Sequence, residues 1–299
     1  MNPTSQKPDA LQSREIRLKD LNPHDLELFR KSIKKEWDTN AAAEAIAVIS
    51  PHDAQVIRQQ RSHRIMQSRL LHTAKPVEDE SELPIDERLH CSPSGTICKA
   101  KTRWIARGDK DPDVFSVDSS STVVGRDTMF MGLQLLASHQ WRMHFAGLSQ
   151  SFTQGEFLQQ TEPPYCELPS NLNKMLPEIA PGSLIEIKKT VYGLTDSPYR
   201  WNQRLDKQLK EPGYIPSLLD PCLYLLHSKD HDGRPCKLEG LFLLTTDDLI
   251  SGGTERHLTL MEQLRSKYKF DKWVYDKGRF CGHLSPATCR FFHRSATKI

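Results

Sequence analysis

Two adjacent aspartates, Asp247 and Asp248, interrupt the most apolar part of the segment 238–253. Two apolar runs joined by a short polar break are typical of antiparallel strands connected by a turn, so the acids are predicted at that turn. Like charges at short range raise a pKa and cost stability, which is tolerated when a cation binds them or when the turn is open to water. A metal site and an ordinary hairpin turn, in which aspartate is common, therefore both remain open at this point.

Further sequence blocks accompany the acid pair in a fixed order. KTVYGLTDSPYRW at 189–201 and DPCLY at 220–224 precede it, and RFCG at 279–282 follows it. This order and spacing resemble the reverse transcriptase of copia-type retrotransposons, whose blocks are K-x-x-Y-G-L-x-x-x-P-x-x-W, S-D-x-C-L-Y, Y-V-D-D-L and F-L-G. The similarity extends to the family's K-A-R-L-V-A-K-G at 101–108 and to Lys35-Glu36-Trp37, and it covers most of residues 57–285.

The resemblance implies an α+β fold, that of a right-hand polymerase with fingers and palm, in which an antiparallel sheet is backed by helices behind an N-terminal helical extension. It predicts a flexible lead and N-terminal helices over 1–56, the fingers–palm domain over 57–290 and a truncated tail over 291–299. The implied activity is that of an RNA-directed DNA polymerase, a nucleotidyltransferase that uses deoxynucleoside triphosphates on an RNA or DNA template–primer. Such enzymes use two Mg²⁺ ions held by carboxylates from separate strands.

By family position, Asp247 and Asp248 are the implied catalytic and metal-binding acids of the hairpin. The other strand aligns with 146–155, where Gly147 occupies the position of the first metal-binding aspartate, and no acid occurs from 139 to 155. Because glycine offers no oxygen ligand, we expect weak or absent polymerase activity. The alternative is a non-catalytic, nucleic-acid-binding remnant of a decayed element.

The same resemblance implies nucleotide-binding roles for five other residues. Phe152 matches the bulky residue beneath the incoming sugar, although ordinary core packing explains a phenylalanine equally well. Tyr192 and Gly193 are expected to approach the nucleotide through a close backbone turn. Lys101 and Arg103 are candidates for phosphate contacts, and a solvated strand face is the alternative for both.

Local signals predict the elements that position these residues. Asn22 and Ser50 are each followed by a proline at the next position and by an aspartate at the third position, which is the pattern of a capped helix start. Alternation of cations with bulkier residues predicts a strand over 99–108, and apolar residues every four positions predict a helix over 199–209. Five prolines between 161 and 181 predict a long connecting loop.

Composition and charge limit the classes of protein to which the chain could belong. Of 299 residues, 41 are basic and 38 acidic, so a net charge of +3 does not by itself argue for nucleic-acid binding. No segment is apolar enough to predict a signal peptide or a membrane span. Seven cysteines without a Cys-x-x-Cys pair favour reduced thiols and an intracellular location, cytoplasmic or nuclear, and the spacing of Cys281, His283 and Cys289 matches no usual zinc frame. Other parts of a retrotransposon polyprotein are possible partners.

Overall fold

The computed structural model describes residues 15–77, 81, 83–92, 96–111, 113–120, 123–158, 162–170, 172–276, 278 and 280. The chain divides into two compact units, one of Met1–Val117 with Phe157–Thr195 and one of Asp118–Glu156 with Asp196–Ile299. Both units mix helices with sheets, which is compatible with the expected α+β class. The boundaries drawn from the sequence at 56/57 and 290/291 stay predictions.

The first unit contains three of the described helices and two sheets. Its helices are α1 (Pro23–Ala42), α2 (Pro51–Gln60) and α4 (Leu172–Met175), and its strands are β1 (Ile46–Ile49), β2 (Ile65–Met66), β3 (Ser68–Pro76), β4 (Cys98–Ala106), β6 (Tyr165–Glu167) and β7 (Leu184–Ile187). Four strands pair in the order β1-β7-β6-β2, with β2 and β6 parallel. The other sheet is the antiparallel pair of β3 and β4.

Both predicted helix starts are confirmed. The side chain of Asn22 accepts a hydrogen bond from the backbone N–H of Asp25 at 2.9 Å, and Ser50 Oγ accepts one from the N–H of Asp53 at 3.1 Å. Each cap satisfies one of the N–H groups that the first helical turn leaves without an intrahelical partner. Capping therefore begins α1 and α2 where the sequence indicates.

The alternation predicted for 99–108 is also confirmed, over β4. Thr102, Trp104 and Ala106 are buried, whereas Lys101 and Arg103 are half-buried on the opposite face. Because successive strand residues point to opposite sides, one face packs on the core while the other carries the cations.

The second unit contains one six-stranded sheet. Its helices are α3 (Arg126–Ser138), α5 (Ser197–Lys210) and α6 (Glu255–Lys267), and its strands are β5 (His144–Leu148), β8 (Ile215–Pro216), β9 (Leu223–Lys229), β10 (Pro235–Leu244), β11 (Asp248–Gly253) and β12 (Phe270–Tyr275). The order is β12-β5-β11-β10-β9-β8, and every pair is antiparallel. Leu133 and Leu136 of α3 share a core cluster with Phe145, Leu241 and Ile250 from the sheet.

The prediction of one long loop over 161–181 is wrong in part. This segment contains β6, which pairs with β2 and β7, and the short helix α4. The prolines lie outside both elements: Pro163 and Pro164 precede β6, and Pro169 and Pro177 flank α4. Proline limits where an element begins and ends, but the residues between two prolines are free to pair with distant strands.

No helix in the described ranges is both long and apolar enough to span a bilayer. Within those ranges, Cys91, Cys98, Cys166, Cys222 and Cys236 are free thiols. Arg279 and residues 281–299, with the spacing considered for zinc, lie outside the described residues.

Candidate functional site

The predicted acidic hairpin is confirmed as β10 and β11. Their register runs from Gly240 opposite Gly253 to Leu244 opposite Leu249, so Asp247 lies in the turn and Asp248 begins the second strand. The Asp247 side chain is exposed and that of Asp248 is half-buried. Burial of the two apolar strands thus fixes the acid pair at one end of the sheet.

Several hydrogen bonds hold this turn. The N–H of Thr245 donates to the carbonyl of Asp248 at 2.9 Å, and the N–H of Asp248 donates to Thr245 Oγ1 at 3.2 Å. From α5, the Trp201 indole N–H donates to the carbonyl of Thr246 at 2.6 Å. The apolar spacing of this helix predicted that Trp201 is packed, but it did not predict this hydrogen bond. Spacing indicates which helix face is buried, whereas the carbonyl that accepts from the indole is distant in sequence.

The neighbouring strand β5 places Gly147 directly opposite Asp248. A Cβ atom at position 147 would lie 3.4 Å from Asp248 Oδ1, and the N–H of Leu148 donates to the carbonyl of Asp247 at 2.6 Å. A side chain at 147 would therefore stand beside the acid pair. The nearest following acid in the sequence, Glu156, instead lies 3.8 Å from Arg204.

Among the described residues, the β10–β11 hairpin supplies the two acids of this turn, and β5 carries no acidic residue. Two divalent ions in a polymerase require oxygen ligands from two strands, since each ion must be held between an attacking or leaving oxygen and fixed carboxylates. Asp247 and Asp248 supply one side of such a site and β5 supplies none. The carboxylate oxygens of Asp247 and Asp248 could contact a divalent ion, and β5 would add no side-chain ligand.

Phe152 lies close in sequence to β5, in the 3₁₀ turn Ser151–Gln154. Its side chain is 9% exposed, so the protein covers most of the ring. The Gln154 amide fixes the end of this turn by donating to the carbonyl of Ser149 at 2.7 Å. Such burial is expected of a core residue, and the proposed contact with a sugar stays a prediction.

A buried imidazole supports the hairpin from α6. His257 Nδ1 lies 2.8 Å from the Tyr214 hydroxyl, and its Nε2 lies 3.3 Å from Ser251 Oγ on β11. Burial, with a smaller contribution from His144, lowers the pKa of His257 to about 3. The ring is therefore neutral at ordinary pH and links α6 to β11 through hydrogen bonds.

Tyr192 and Gly193 lie in the first unit, at the end of β4. The N–H of Ala106 donates to the carbonyl of Tyr192 at 2.9 Å, and the N–H of Gly108 donates to the carbonyl of Gly193 at 3.2 Å. Gly193 has φ +96°, and a Cβ atom there would lie 2.0 Å from the Ala106 carbonyl oxygen. Only glycine fits, because an L side chain would meet both a strained backbone and a backbone oxygen.

The cationic candidates on β4 lie on the same face. The Arg103 guanidinium lies 5.5 Å from the centroid of the Tyr192 ring, within cation–π distance. Lys101 Nζ lies 4.0 Å from Glu36 Oε2 of α1. The candidates of the first unit therefore lie along β4 and in the turn that is hydrogen-bonded to its end: Lys101, Arg103, Tyr192 and Gly193. The second unit contains the other four candidates: Asp247, Asp248, Gly147 and Phe152.

Arg58, Arg61, Arg64 and Arg69 form the most basic stretch of the sequence, and three of these four arginines pair with acids of the protein. Arg58 pairs with Glu167 at 2.7 Å, Arg64 with Asp113 at 2.6 Å and Arg69 with Glu15 at 2.9 Å. Arg64 is itself buried. These ion pairs favour a structural role for the three arginines over contact with the phosphates of a nucleic acid.

The search for relatives adds no assignment to this geometry. The sequence matches neither a protein-family model nor a curated protein.

Proposed function

We propose that this chain is the fingers–palm segment of a copia-type reverse transcriptase, an RNA-directed DNA polymerase, in which the Mg²⁺ site lacks one carboxylate. The observation that carries the proposal is the register of Asp248 opposite Gly147. A family alignment made from sequence blocks alone puts Gly147 at a metal-ligand position, and the sheet brings that position to the acid pair. If the sequence block had matched the family by chance, positions 147 and 248 would have no reason to lie opposite each other in the sheet.

The missing carboxylate sets the expected level of activity. Phosphoryl transfer depends mainly on positioning and electrostatic stabilisation, so each charged ligand of the metal site matters. Removal of one hydrogen-bond donor that stabilises a transition-state charge typically costs about 3–4 kcal/mol, or roughly 10²–10³ in rate, and we take this as the scale for one metal-binding carboxylate. We therefore expect weak or undetectable polymerase activity from this sequence.

The other residues contribute to substrate binding in this proposal. Lys101 and Arg103 offer cations to phosphates of the template–primer or of a deoxynucleoside triphosphate. In the first unit, the Tyr192–Gly193 turn offers backbone groups to a nucleotide. In the second unit, Phe152 is the residue that would limit the space beneath a deoxynucleotide sugar. The segment would act together with other parts of a retrotransposon polyprotein.

Primer extension tests the proposal directly. Wild-type protein and the variants Gly147→Asp and Gly147→Asn are compared on a poly(A) template with an oligo(dT) primer, in Mg²⁺ and in Mn²⁺. Gly147→Asp should raise the extension rate by about 10²–10³, whereas Gly147→Asn, which has the same shape without the charge, should not. The double variant Gly147→Asp/Asp247→Asn should lose the gain, and equal extension by the aspartate and asparagine variants would disprove the missing-ligand explanation.

A second candidate function is non-catalytic binding of nucleic acid. The observation that favours it is the cationic face of β4, where Lys99 is exposed and Lys101 and Arg103 are half-buried. Filter binding at several salt concentrations measures this function, because phosphate contacts release counterions and produce a steep decrease of affinity with salt. Steep salt dependence without extension by Gly147→Asp would favour this candidate over the polymerase.

A further inference from the structure

A second group of possible metal ligands lies in the first unit, remote in sequence from the acid pair. His24 and Asp25 belong to the first turn of α1, and His90 belongs to the connection between β3 and β4. One ligand atom from each of the three lies within 4.8 Å of the others, although 65 positions separate Asp25 from His90. Folding thus brings together donors that no sequence spacing connects.

Hydrogen bonds already orient two of these side chains. His24 Nε2 lies 3.1 Å from the backbone carbonyl of Arg88, and because a carbonyl only accepts, Nε2 carries the hydrogen and Nδ1 has the lone pair. Metal-binding histidines are commonly held in this way through their second nitrogen. The Asp25 carboxylate accepts the N–H groups of His90 and Cys91, each at 2.8 Å, and it also has side-chain hydrogen bonds to Cys91 and Asn22. An ion would therefore take the lone pair that the Cys91 thiol occupies, which becomes available when the thiol loses its proton.

A thiol lies beside the group, outside the three residues whose ligand atoms lie within 4.8 Å of one another. To bind the same ion, the exposed Cys91 side chain would have to turn towards the two imidazoles. The Cys91 side chain is hydrogen-bonded to the Asp25 carboxylate, and Cys91 and His90 are both exposed while Asp25 is fully buried. An ion can therefore approach from the side of the two exposed residues. The rings of His24 and His90 stack at a centroid distance of 4.2 Å, so binding requires the exposed His90 ring to rotate out of the stack and turn a nitrogen towards the ion.

We propose that His24, Asp25, His90 and Cys91 form a binding site for one Zn²⁺ ion. Two imidazoles, a carboxylate and a thiolate are the donors that zinc takes in four-coordinate sites, whereas Mg²⁺ prefers oxygen ligands alone. The ion would join the start of α1 to the β3–β4 connection, which is now held by the hydrogen bonds of Asp25. Because an unfolded chain does not preserve this arrangement, zinc should stabilise the folded first unit.

Metal titration of the full chain tests the site. The protein is stripped with a chelator and titrated with Zn²⁺ against a chromophoric competitor, and with Co²⁺ to detect a thiolate-to-metal charge-transfer band. We expect one tight ion per chain, a cobalt–thiolate band and a melting temperature that rises with Zn²⁺ concentration. His90→Ala and Cys91→Ser should each weaken Zn²⁺ binding at least about 100-fold, since even residues that only orient a ligand contribute 10–100-fold.

Matched controls make the outcome specific. His52→Ala and Cys236→Ser remove an exposed imidazole and an exposed thiol elsewhere and should leave Zn²⁺ affinity unchanged. Because His90 and Cys91 are exposed, their variants should retain the far-ultraviolet circular dichroism of the wild type. Absence of tight Zn²⁺ binding would overturn the proposal, as would wild-type affinity in His90→Ala and Cys91→Ser or loss of binding only on substitution of Cys281 and Cys289. Polymerase assays do not affect this result, since the two sites share no residue.

Discussion

An aspartate at position 147 should make the stability of the second unit depend on divalent cations. The substitution is sterically acceptable, because a Cβ atom at 147 would lie 3.4 Å from Asp248 Oδ1, an ordinary van der Waals contact. It would, however, place a third carboxylate beside Asp247 and Asp248. Without a cation these charges repel one another, and with a cation they become ligands.

The distance sets the magnitude of the repulsion. Two unit charges about 4 Å apart interact by about 1 kcal/mol in water and by about 4 kcal/mol at the effective dielectric of a protein surface. Asp248 is half-buried and Asp247 exposed, which puts the new carboxylate between these limits. In the presence of a chelator, we expect Gly147→Asp to be about 1–4 kcal/mol less stable than Gly147→Asn. The asparagine variant controls for the volume of the added side chain, so the difference measures the charge.

Urea denaturation followed by tryptophan fluorescence measures this difference, since Trp141, Trp201 and Trp273 belong to the second unit. A divalent ion at 100 times its dissociation constant should raise the unfolding free energy of Gly147→Asp by about 2.7 kcal/mol. This reverses a gap of about 1 kcal/mol and narrows one of about 4 kcal/mol to about 1.3 kcal/mol. Mn²⁺ and Mg²⁺ are each tested against the chelator. An unchanged gap in saturating ion, or equal stabilisation of Gly147→Asn, would refute the reasoning that position 147 completes a cation site.

Three other predictions concern the packing around the candidate residues. Burial lowers the pKa of His257 to about 3 from its usual 6.5, so the unfolded state binds more protons between these values and stability should fall as pH decreases through this window. The loss is at most about 1.4 kcal/mol per pH unit, and His257→Gln should flatten it in urea titrations from about pH 7 to about pH 5.5. Gly193→Ala should cost at least about 2 kcal/mol in the same assay, because it combines a left-handed backbone with a backbone clash. Trp201→Phe should cost about 1–3 kcal/mol beyond its lost volume, because the carbonyl of Thr246 loses its indole donor.

Two substitutions serve as controls for these predictions. Gly233 has φ +75° with no atom within 4 Å of an added Cβ, so Gly233→Ala measures the backbone cost without a clash. Trp104 is as buried as Trp201, but its indole nitrogen has no hydrogen-bond partner in the described part of the chain, so Trp104→Phe measures volume alone. Equal costs within either pair, or an unchanged pH profile in His257→Gln, would contradict the corresponding explanation.

Local elements were largely predictable from the sequence. The caps at Asn22 and Ser50, the alternating face of β4 and the amphipathic helix α5 each depend on residues within one or two turns or strand repeats. The prolines of 161–181 misled the prediction, because pairing of Tyr165–Glu167 with two distant strands outweighs the local preference for loop. Local patterns thus succeed where neighbours in sequence supply the interactions.

The arrangement of the candidate sites depended on contacts between distant segments. The sequence alone determined that two acids occupy a hairpin turn and that no acid lies near Gly147 on its own strand. Only the tertiary structure decided that Gly147 faces Asp248, that Gly193 bonds to the end of β4 and that His24 meets His90. The physical reason is that strand register and loop packing are set by the burial of whole apolar faces, which no single block of residues encodes.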